Sequence, residues 1–132
     1  MFETVLYPID QSRESLEAAG MVAQIVQANH SRLVVLSVVD REANPSDESQ
    51  SYEAIAQLLD HVKSLFAKQG LTVETLEREG NPAFTICDIA DEIDAKLVVM
   101  GCRGLGLTEE GAAESVTNRV INLAPCPVLI VP

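Results

Sequence analysis

The feature that most restricts the fold of this chain is a regular alternation of short apolar runs with helical patterns. Four of the runs are rich in β-branched residues and almost continuously apolar. Such runs are typical of strands in a parallel sheet that is covered on both faces. A fifth run, residues 71–77, alternates apolar and polar residues and therefore predicts an edge strand. The continuous runs are residues 5–9, 33–39, 97–100 and 127–131.

Helical patterns separate these predicted strands. Ser12 can cap a first helix, and residues 52–68 and 82–93 carry apolar residues at helical spacing. A last helix is predicted from about Ser115 to Leu123. Helices at every crossover require parallel strands, and right-handed crossovers then lead to a doubly wound α/β fold. We therefore expect a five-stranded parallel sheet with helices on both faces.

The composition excludes several classes of partner. The chain carries 9 Lys and Arg against 20 Asp and Glu, for a formal net charge of −11. Nucleic acids and anionic membrane surfaces both select basic patches, so neither is an expected partner. No apolar run reaches the roughly 18 residues of a spanning helix, and residues 1–4 lack the basic region of a secretory signal. We therefore expect a cytoplasmic protein with a single domain over residues 1–132.

Nucleophilic and metal-ligating residues form no recognisable catalytic or metal-binding pattern. The 3 cysteines include no Cys-x-x-Cys pair and have no histidine close in sequence, which argues against a disulfide framework or a zinc site. Cys87 and Cys126 are expected to be small buried residues, whereas the reactivity of Cys102 is left open. His30 and His61 have no partner that would indicate a triad. We therefore predict no catalytic and no metal-binding residues.

The ends of two predicted strands mark a candidate binding crevice. In doubly wound sheets, ligands bind beyond the carboxyl ends of the strands, where the strand order reverses. The ends that stand out are residues 8–10, Pro-Ile-Asp, and residues 100–102, Met-Gly-Cys. They flank one crevice if the first and fourth strands are neighbours. The polar loop of residues 41–51 follows the second strand on the same side, as a surface connector or as a partial lid.

Three stretches together resemble the universal stress protein family, and the resemblance covers the whole chain. They are VLYPIDQS, EREGNPAFTICDIADEIDAKLVVMGCRGLG and SVTNRVINLAPCPVLIVP. The resemblance implies the strand order 3-2-1-4-5 and a homodimer through the last strand. An apolar edge strand suits that role because its unpaired backbone groups invite pairing with another copy, although an edge covered within the monomer is the alternative. The implied dimer residues are Val128, Leu129, Ile130 and Val131.

The resemblance implies a phosphate-binding site in the glycine-rich stretch, for which a plain connector is the alternative. Gly101, Gly104 and Ser115 match the family's ATP signature, Gly-x2-Gly-x9-Gly-Ser/Thr, whereas Glu114 stands at its third glycine. Phosphates are bound by N–H groups at helix N-termini and by nearby hydroxyls. The implied phosphate-binding residues are Gly101, Arg103, Gly104, Ser115, Val116 and Thr117, with Arg103 as the nearby cation.

Glu114 is the departure from that signature that bears most directly on phosphate binding. Glycine tolerates positive φ and lets the backbone approach a phosphate closely. Glutamate disfavours that conformation and adds a negative charge, which costs about 1 kcal/mol or more beside a phosphate. A divalent cation such as Mg²⁺, bridging the phosphates to a carboxylate, is left open.

The resemblance also implies an adenosine-binding wall. Asp10 is expected to form a hydrogen bond to the adenosine portion of the ligand, and capping of the first helix is the alternative for this residue. Val39, at the end of the second strand, is expected to contact the adenine face. Pro8, Ile9 and Met100 complete the implied wall.

These implications lead to one preferred function and two alternatives. The preferred function is a regulatory module of the stress response that binds ATP or another adenine nucleotide, with or without Mg²⁺. The first alternative is a nucleotide-free dimeric interaction protein, in which the signature is degraded at Glu114 and the protein partner is unknown. The second is slow hydrolysis of ATP, with a loop carboxylate positioning a metal ion or water.

Overall fold

The computed structural model describes residues 1–42, 45–101 and 110–132, with the backbone alone at residues 14, 49 and 110–115. Its strands are β1 (Thr4–Ile9), β2 (Arg32–Val39), β3 (Val73–Glu79), β4 (Leu97–Gly101) and β5 (Val128–Val131). Its helices are α1 (Arg13–Glu17), α2 (Ala19–Asn29), α3 (Tyr52–Ala67), α4 (Pro82–Glu92) and α5 (Glu110–Leu123), with a 3₁₀ turn at Glu48–Gln50. The strands form one parallel sheet in the order β3-β2-β1-β4-β5. The doubly wound fold and the implied strand order are therefore confirmed.

Both faces of the sheet are buried, which explains why its central strands are almost continuously apolar. Along β1, Tyr7 and Ile9 belong to a core layer shared with α2 and α3. Leu6 belongs to a second layer shared with α4 and α5, as the alternation of side chains along a strand requires. The rings of Tyr7 and Phe66 meet edge to face, with 6.3 Å between their centroids.

The cysteines are packed much as predicted. Cys87 is buried in the second core layer, and Cys126 packs against that layer in a half-buried position. Both thiols are free, and burial is the main cause that raises the pKa of each. The expectation of a small buried residue is confirmed for Cys87 and only partly met by Cys126, while Cys102 lies outside the described residues.

Two helix boundaries differ from the prediction. The Ser12 side chain caps α1 by accepting the Ser15 N–H at 3.1 Å, but the first helix is divided at Ala18, where α2 follows. The predicted start of the last helix at Ser115 is wrong, because α5 already begins at Glu110. Residues 110–114 read Glu-Gly-Ala-Ala-Glu and lack the large apolar side chains that reveal a helical face. Alanine and glutamate are nevertheless strong helix formers, and acidic residues stabilise a first turn.

The two edges of the sheet differ in chemistry. β3 forms one edge, as predicted from its alternation, and begins two residues later than expected. It carries three glutamates and an arginine, and its Glu74 makes a two-pronged pair with Arg32 of β2. β5 forms the other edge and consists of half-exposed Val-Leu-Ile-Val. Ile121 and Leu123, near the end of α5, are exposed as well. One edge is therefore charged and the other is apolar.

Candidate functional site

The carboxyl ends of β1 and β4 lie side by side, as the predicted crevice requires. The two strands are paired in parallel, and extending their register brings Pro8 level with Met100 and Ile9 level with Gly101. All four residues are buried. The structure thus places the end of β1, with two residues of the implied adenosine wall, beside the end of β4, which carries the first glycine of the signature.

Asp10 holds the turn that leads from β1 into α1. Its carboxylate Oδ1 accepts the N–H of Ser12 at 2.7 Å, and the residue is only 6% exposed. Its own N–H donates to the Ser15 hydroxyl at 3.0 Å, and that hydroxyl lies 3.1 Å from the Asp10 carbonyl oxygen, to which it can donate. Asp10 therefore stabilises the start of the first helix, which was the structural alternative predicted for this residue. Its contact with adenosine stays a prediction.

Tyr7 and Ser15 support this turn from below, and sequence reasoning did not identify either of them. The Tyr7 hydroxyl donates to the Ser15 carbonyl at 2.6 Å, and both residues are fully buried. Burial, and secondarily the negative charge of Asp10, raises the pKa of Tyr7 above its ordinary value. The hydroxyl of a buried tyrosine usually has a hydrogen-bond partner. The presence of Tyr7 in an apolar strand could therefore have predicted a polar group close to it.

The end of β2 carries Val39, whose side chain is completely buried in the first core layer. Its carbonyl accepts the N–H of Gly80 at 3.0 Å, which ties β2 to the turn before α4. A cavity of about 10 Å³, the size of one water molecule, lies between the ends of β1 and β2 and the start of α4. The predicted contact of Val39 with an adenine ring stays a prediction.

The described part of the 41–51 loop is anchored at the β2–β3 side of the sheet. The Arg41 guanidinium forms ion pairs with Glu77 and Glu79 and lies 4.0 Å above the ring of Tyr52. It also donates to the Gln50 carbonyl at 2.8 Å, so the two ends of the loop are joined. An open cleft of about 390 Å³ lies beside it, lined by Asp40, Arg41, Glu42, Glu79, Gly80 and Asn81. These contacts describe an anchored connector, while residues 43 and 44 lie outside the described residues.

α5 contributes the least expected feature of the crevice region. Val116 and Thr117 lie on its buried side and are 8% and 9% exposed. The Thr117 Oγ1 is buried and has no hydrogen-bond partner among the described residues. Buried hydroxyls in native proteins are normally paired, so this group has an unmet capacity to donate and to accept.

The predicted phosphate-binding residues are divided between the glycine-rich stretch and α5. Arg103 and Gly104 lie outside the described residues, as does the rest of the glycine-rich stretch from 102 to 109. Ser115 lies within α5. Across the described ranges, no group of three or more His, Cys, Asp and Glu side chains is arranged to hold a metal ion. In the same ranges no helix combines the length and the apolar character needed to cross a bilayer.

Comparison with known proteins gives matches along the entire chain. The model of the Universal stress protein family matches residues 1–132. A universal stress protein of Synechocystis sp. is 55% identical over 136 residues, which cover 100% of this chain and 87% of the relative.

Two solved structures extend the similarity to three dimensions. A hypothetical protein whose biochemical function was assigned from its structure has a TM-score of 0.84 at 25% identity, covering 99% of this chain and 96% of that one. A universal stress protein in complex with cAMP has a TM-score of 0.72 at 27% identity, with coverages of 98% and 96%. The fold is therefore shared along nearly the whole chain.

Proposed function

Because the chain belongs to the universal stress protein family, we propose that it is a regulatory module that binds an adenine nucleotide at the carboxyl ends of β1 and β4. A structural neighbour of the same family forms a complex with cAMP, which supports an adenine nucleotide as the ligand. ATP is one candidate, and AMP and cAMP carry fewer negative charges toward the acidic residues of the glycine-rich stretch. Mg²⁺ is an optional companion of the triphosphate.

The observation that carries this proposal is the buried hydroxyl of Thr117, which has no hydrogen-bond partner among the described residues. A buried polar group without a partner costs about 1–3 kcal/mol. A bound ligand can supply the missing partner, and a phosphate oxygen or a ribose hydroxyl is suitable.

The position of Thr117 along α5 supports the same reading. α5 connects two parallel strands and therefore runs antiparallel to them. Thr117 lies about 9 Å along the helix from its end at Leu123, at a rise of about 1.5 Å per residue. Met100 lies about 10 Å from the start of β4, at about 3.3 Å per residue. Both residues are therefore at similar heights, close to the carboxyl edge.

In the proposed complex the two halves of the ligand meet different surfaces. Asp10 accepts hydrogen bonds from the adenosine portion, beside a wall of Pro8, Ile9, Val39 and Met100. The phosphate is held on the other side of the crevice by Gly101, Arg103, Gly104, Ser115, Val116 and Thr117. A carboxylate suits the ribose or amine donors and repels phosphate, so this division follows the charge of each group.

Calorimetric titration tests the proposal. Protein shown to be free of bound nucleotide is titrated with cAMP, AMP and ATP, the last with and without Mg²⁺. We expect micromolar binding of at least one of them. If none releases heat or raises the melting temperature, the proposal fails.

Two variants at Glu114 separate charge from backbone in the same assay. Removing the charge with Glu114→Gln should tighten ATP binding about fivefold, the equivalent of about 1 kcal/mol. Glu114→Gly should tighten it further because glycine also frees the backbone. Equal affinities in the parent and both variants would show that this position has no influence on the phosphate.

We further propose a homodimer formed through β5. The Val98 N–H donates to the Pro127 carbonyl at 3.0 Å, so the alternation along the strand directs the N–H groups of Val128 and Ile130 away from β4. These outward groups lie on an edge whose side chains are apolar and half-exposed. A second copy of β5 satisfies both the backbone groups and the side chains.

The apolar edge also favours one alternative function. A nucleotide-free interaction protein would use the dimer, rather than the crevice, as its functional unit, with a protein partner that is unknown. The calorimetric result decides between the two, because only the preferred function requires nucleotide binding.

A further inference from the structure

The start of α5 determines which backbone groups are available to a phosphate. Only the N–H groups at the very start of an α-helix lack a partner within the helix, and in a helix that begins at Glu110 they end at residue 112. The N–H groups of Ser115, Val116 and Thr117 lie beyond this first turn. In helical geometry they donate to the carbonyls of residues 111, 112 and 113. The donors implied for the phosphate are therefore already used.

We infer that residues 110–114 form a helical turn that must unwind before a nucleotide phosphate can bind at Ser115, Val116 and Thr117. The inference rests on the proposed function and adds the regulation of that site. Unwinding moves the start of the helix to Ser115 and frees three consecutive N–H groups beside the Thr117 hydroxyl. A phosphate that accepts from these groups compensates for the helical hydrogen bonds that are lost.

The geometry of the sheet explains why this turn matters. β4 spans about 13 Å from Leu97 to Gly101, whereas α5 spans about 20 Å from Glu110 to Leu123 at the usual rises per residue. α5 leads into β5, and β5 pairs in parallel with β4, so the end of α5 and the start of β4 lie toward the same end of the sheet. The first turn of α5 therefore extends past the carboxyl edge of the sheet, beyond the level of Gly101.

The composition of the segment makes it suitable as a switch. Residues 110–114 contain one glycine, Gly111, which weakens a helix interior, and two alanines, Ala112 and Ala113, which strengthen it. The helical form is the one that the structure shows, and one substitution changes its ratio to the unwound form. Any shift toward the helical form lowers the apparent phosphate affinity by the same factor.

The inference predicts a difference between adenosine and AMP. Adenosine carries no phosphate and can occupy the Asp10 side of the crevice with α5 intact. AMP needs the unwound form. Helix propensity within residues 110–114 should therefore alter the affinity for AMP and leave the affinity for adenosine unchanged.

The test compares four proteins by calorimetry with AMP and with adenosine. Gly111→Ala should weaken AMP binding about fivefold, and Ala112→Gly should strengthen it by a similar factor, as expected from the propensity difference between these residues. Asn118→Ala is the matched control, because it raises helix propensity at an exposed site of α5 outside the segment. It should leave both affinities at the parent value.

A second readout follows the backbone directly. AMP should reduce the helical circular dichroism signal at 222 nm, and adenosine should not. If AMP binds all four proteins equally and the signal is constant, the switch is refuted while nucleotide binding stands. If the parent binds neither of these ligands but does bind ATP or cAMP, the switch is refuted while the proposed function stands. If the parent binds none of the four ligands, the proposed function fails, and the switch with it.

Discussion

Replacement of Thr117 by valine should make the ligand-free protein more stable and at the same time weaken nucleotide binding. Valine has the shape of threonine and a similar helix propensity, so Thr117→Val removes the hydroxyl with little other change. The hydroxyl is buried, and no described residue pairs with it. The folded state is therefore relieved of an unpaired polar group.

The size of the gain follows from that burial. An unpaired buried hydroxyl costs about 1–3 kcal/mol, and some relaxation around the site reduces what is recovered. We expect the free energy of unfolding to rise by about 1–2 kcal/mol. At an m-value of about 2 kcal/mol/M in urea, the unfolding midpoint then moves upward by about 0.5–1 M.

Urea unfolding of the ligand-free protein at 25 °C, followed by circular dichroism, measures the increase in stability. Calorimetry with AMP measures the decrease in affinity. A hydrogen bond to a charged group contributes about 1.5–3 kcal/mol, so Thr117→Val should weaken AMP binding at least about tenfold. Thr117→Ser is the control, because it keeps the hydroxyl and deletes one methyl group. It should lose about 1 kcal/mol of stability and keep its affinity.

One result would refute this reasoning. If Thr117→Val is less stable than the parent and binds AMP equally well, the hydroxyl has a partner in the free protein and no contact with the ligand.

Further predictions concern the turn, the backbone and the sheet edge. Burial, and then the charge of Asp10, raises the pKa of Tyr7 above its ordinary value of 10.0. The free energy of unfolding should therefore fall as the pH rises above 10. If Tyr7→Phe shows the same dependence of unfolding free energy on pH, Tyr7 is not its cause. Gly80→Ala should cost about 1–3 kcal/mol in urea unfolding, because φ is +149° and its Cβ would lie 2.6 Å from the Thr85 Oγ1. Adding Thr85→Ala to this variant should restore only part of the lost stability. An unchanged urea midpoint in Gly80→Ala would contradict the expected strain at residue 80. Ile130→Pro removes an outward N–H of β5, so this variant should be a monomer in analytical ultracentrifugation, whereas Ile130→Val should remain a dimer. If both variants sediment as dimers, the copies do not pair through β5.

The strands were predictable because burial on both faces leaves a simple record in the sequence. Residues 33–39 and 97–100 are apolar at nearly every position, as a strand between two helical layers must be. The spatial order of the strands required the family resemblance, since the apolar runs alone do not specify their neighbours. The edge position of β3 was visible in its alternation.

Sequence reasoning missed contacts between buried polar groups and a helical segment that has no apolar face. The Glu-Gly-Ala-Ala-Glu start of α5 has helix propensity without an apolar stripe, so periodicity did not reveal it. The bond from Tyr7 to the Ser15 carbonyl depends on how closely α1 follows β1, which no spacing rule specifies. The pairing state of Thr117 is a property of packing as well.

The contrast between the two sheet edges has a consequence for the size of any assembly. Two β5 strands related by a two-fold axis would each use the single apolar edge of their copy. The outermost strands of the joined ten-stranded sheet would then be two copies of β3, with glutamates and an arginine along them. Like charges on such strands oppose further end-to-end growth. The proposed association through β5 would therefore be self-limiting, because it would close at two copies and place a charged strand at each end of the joined sheet.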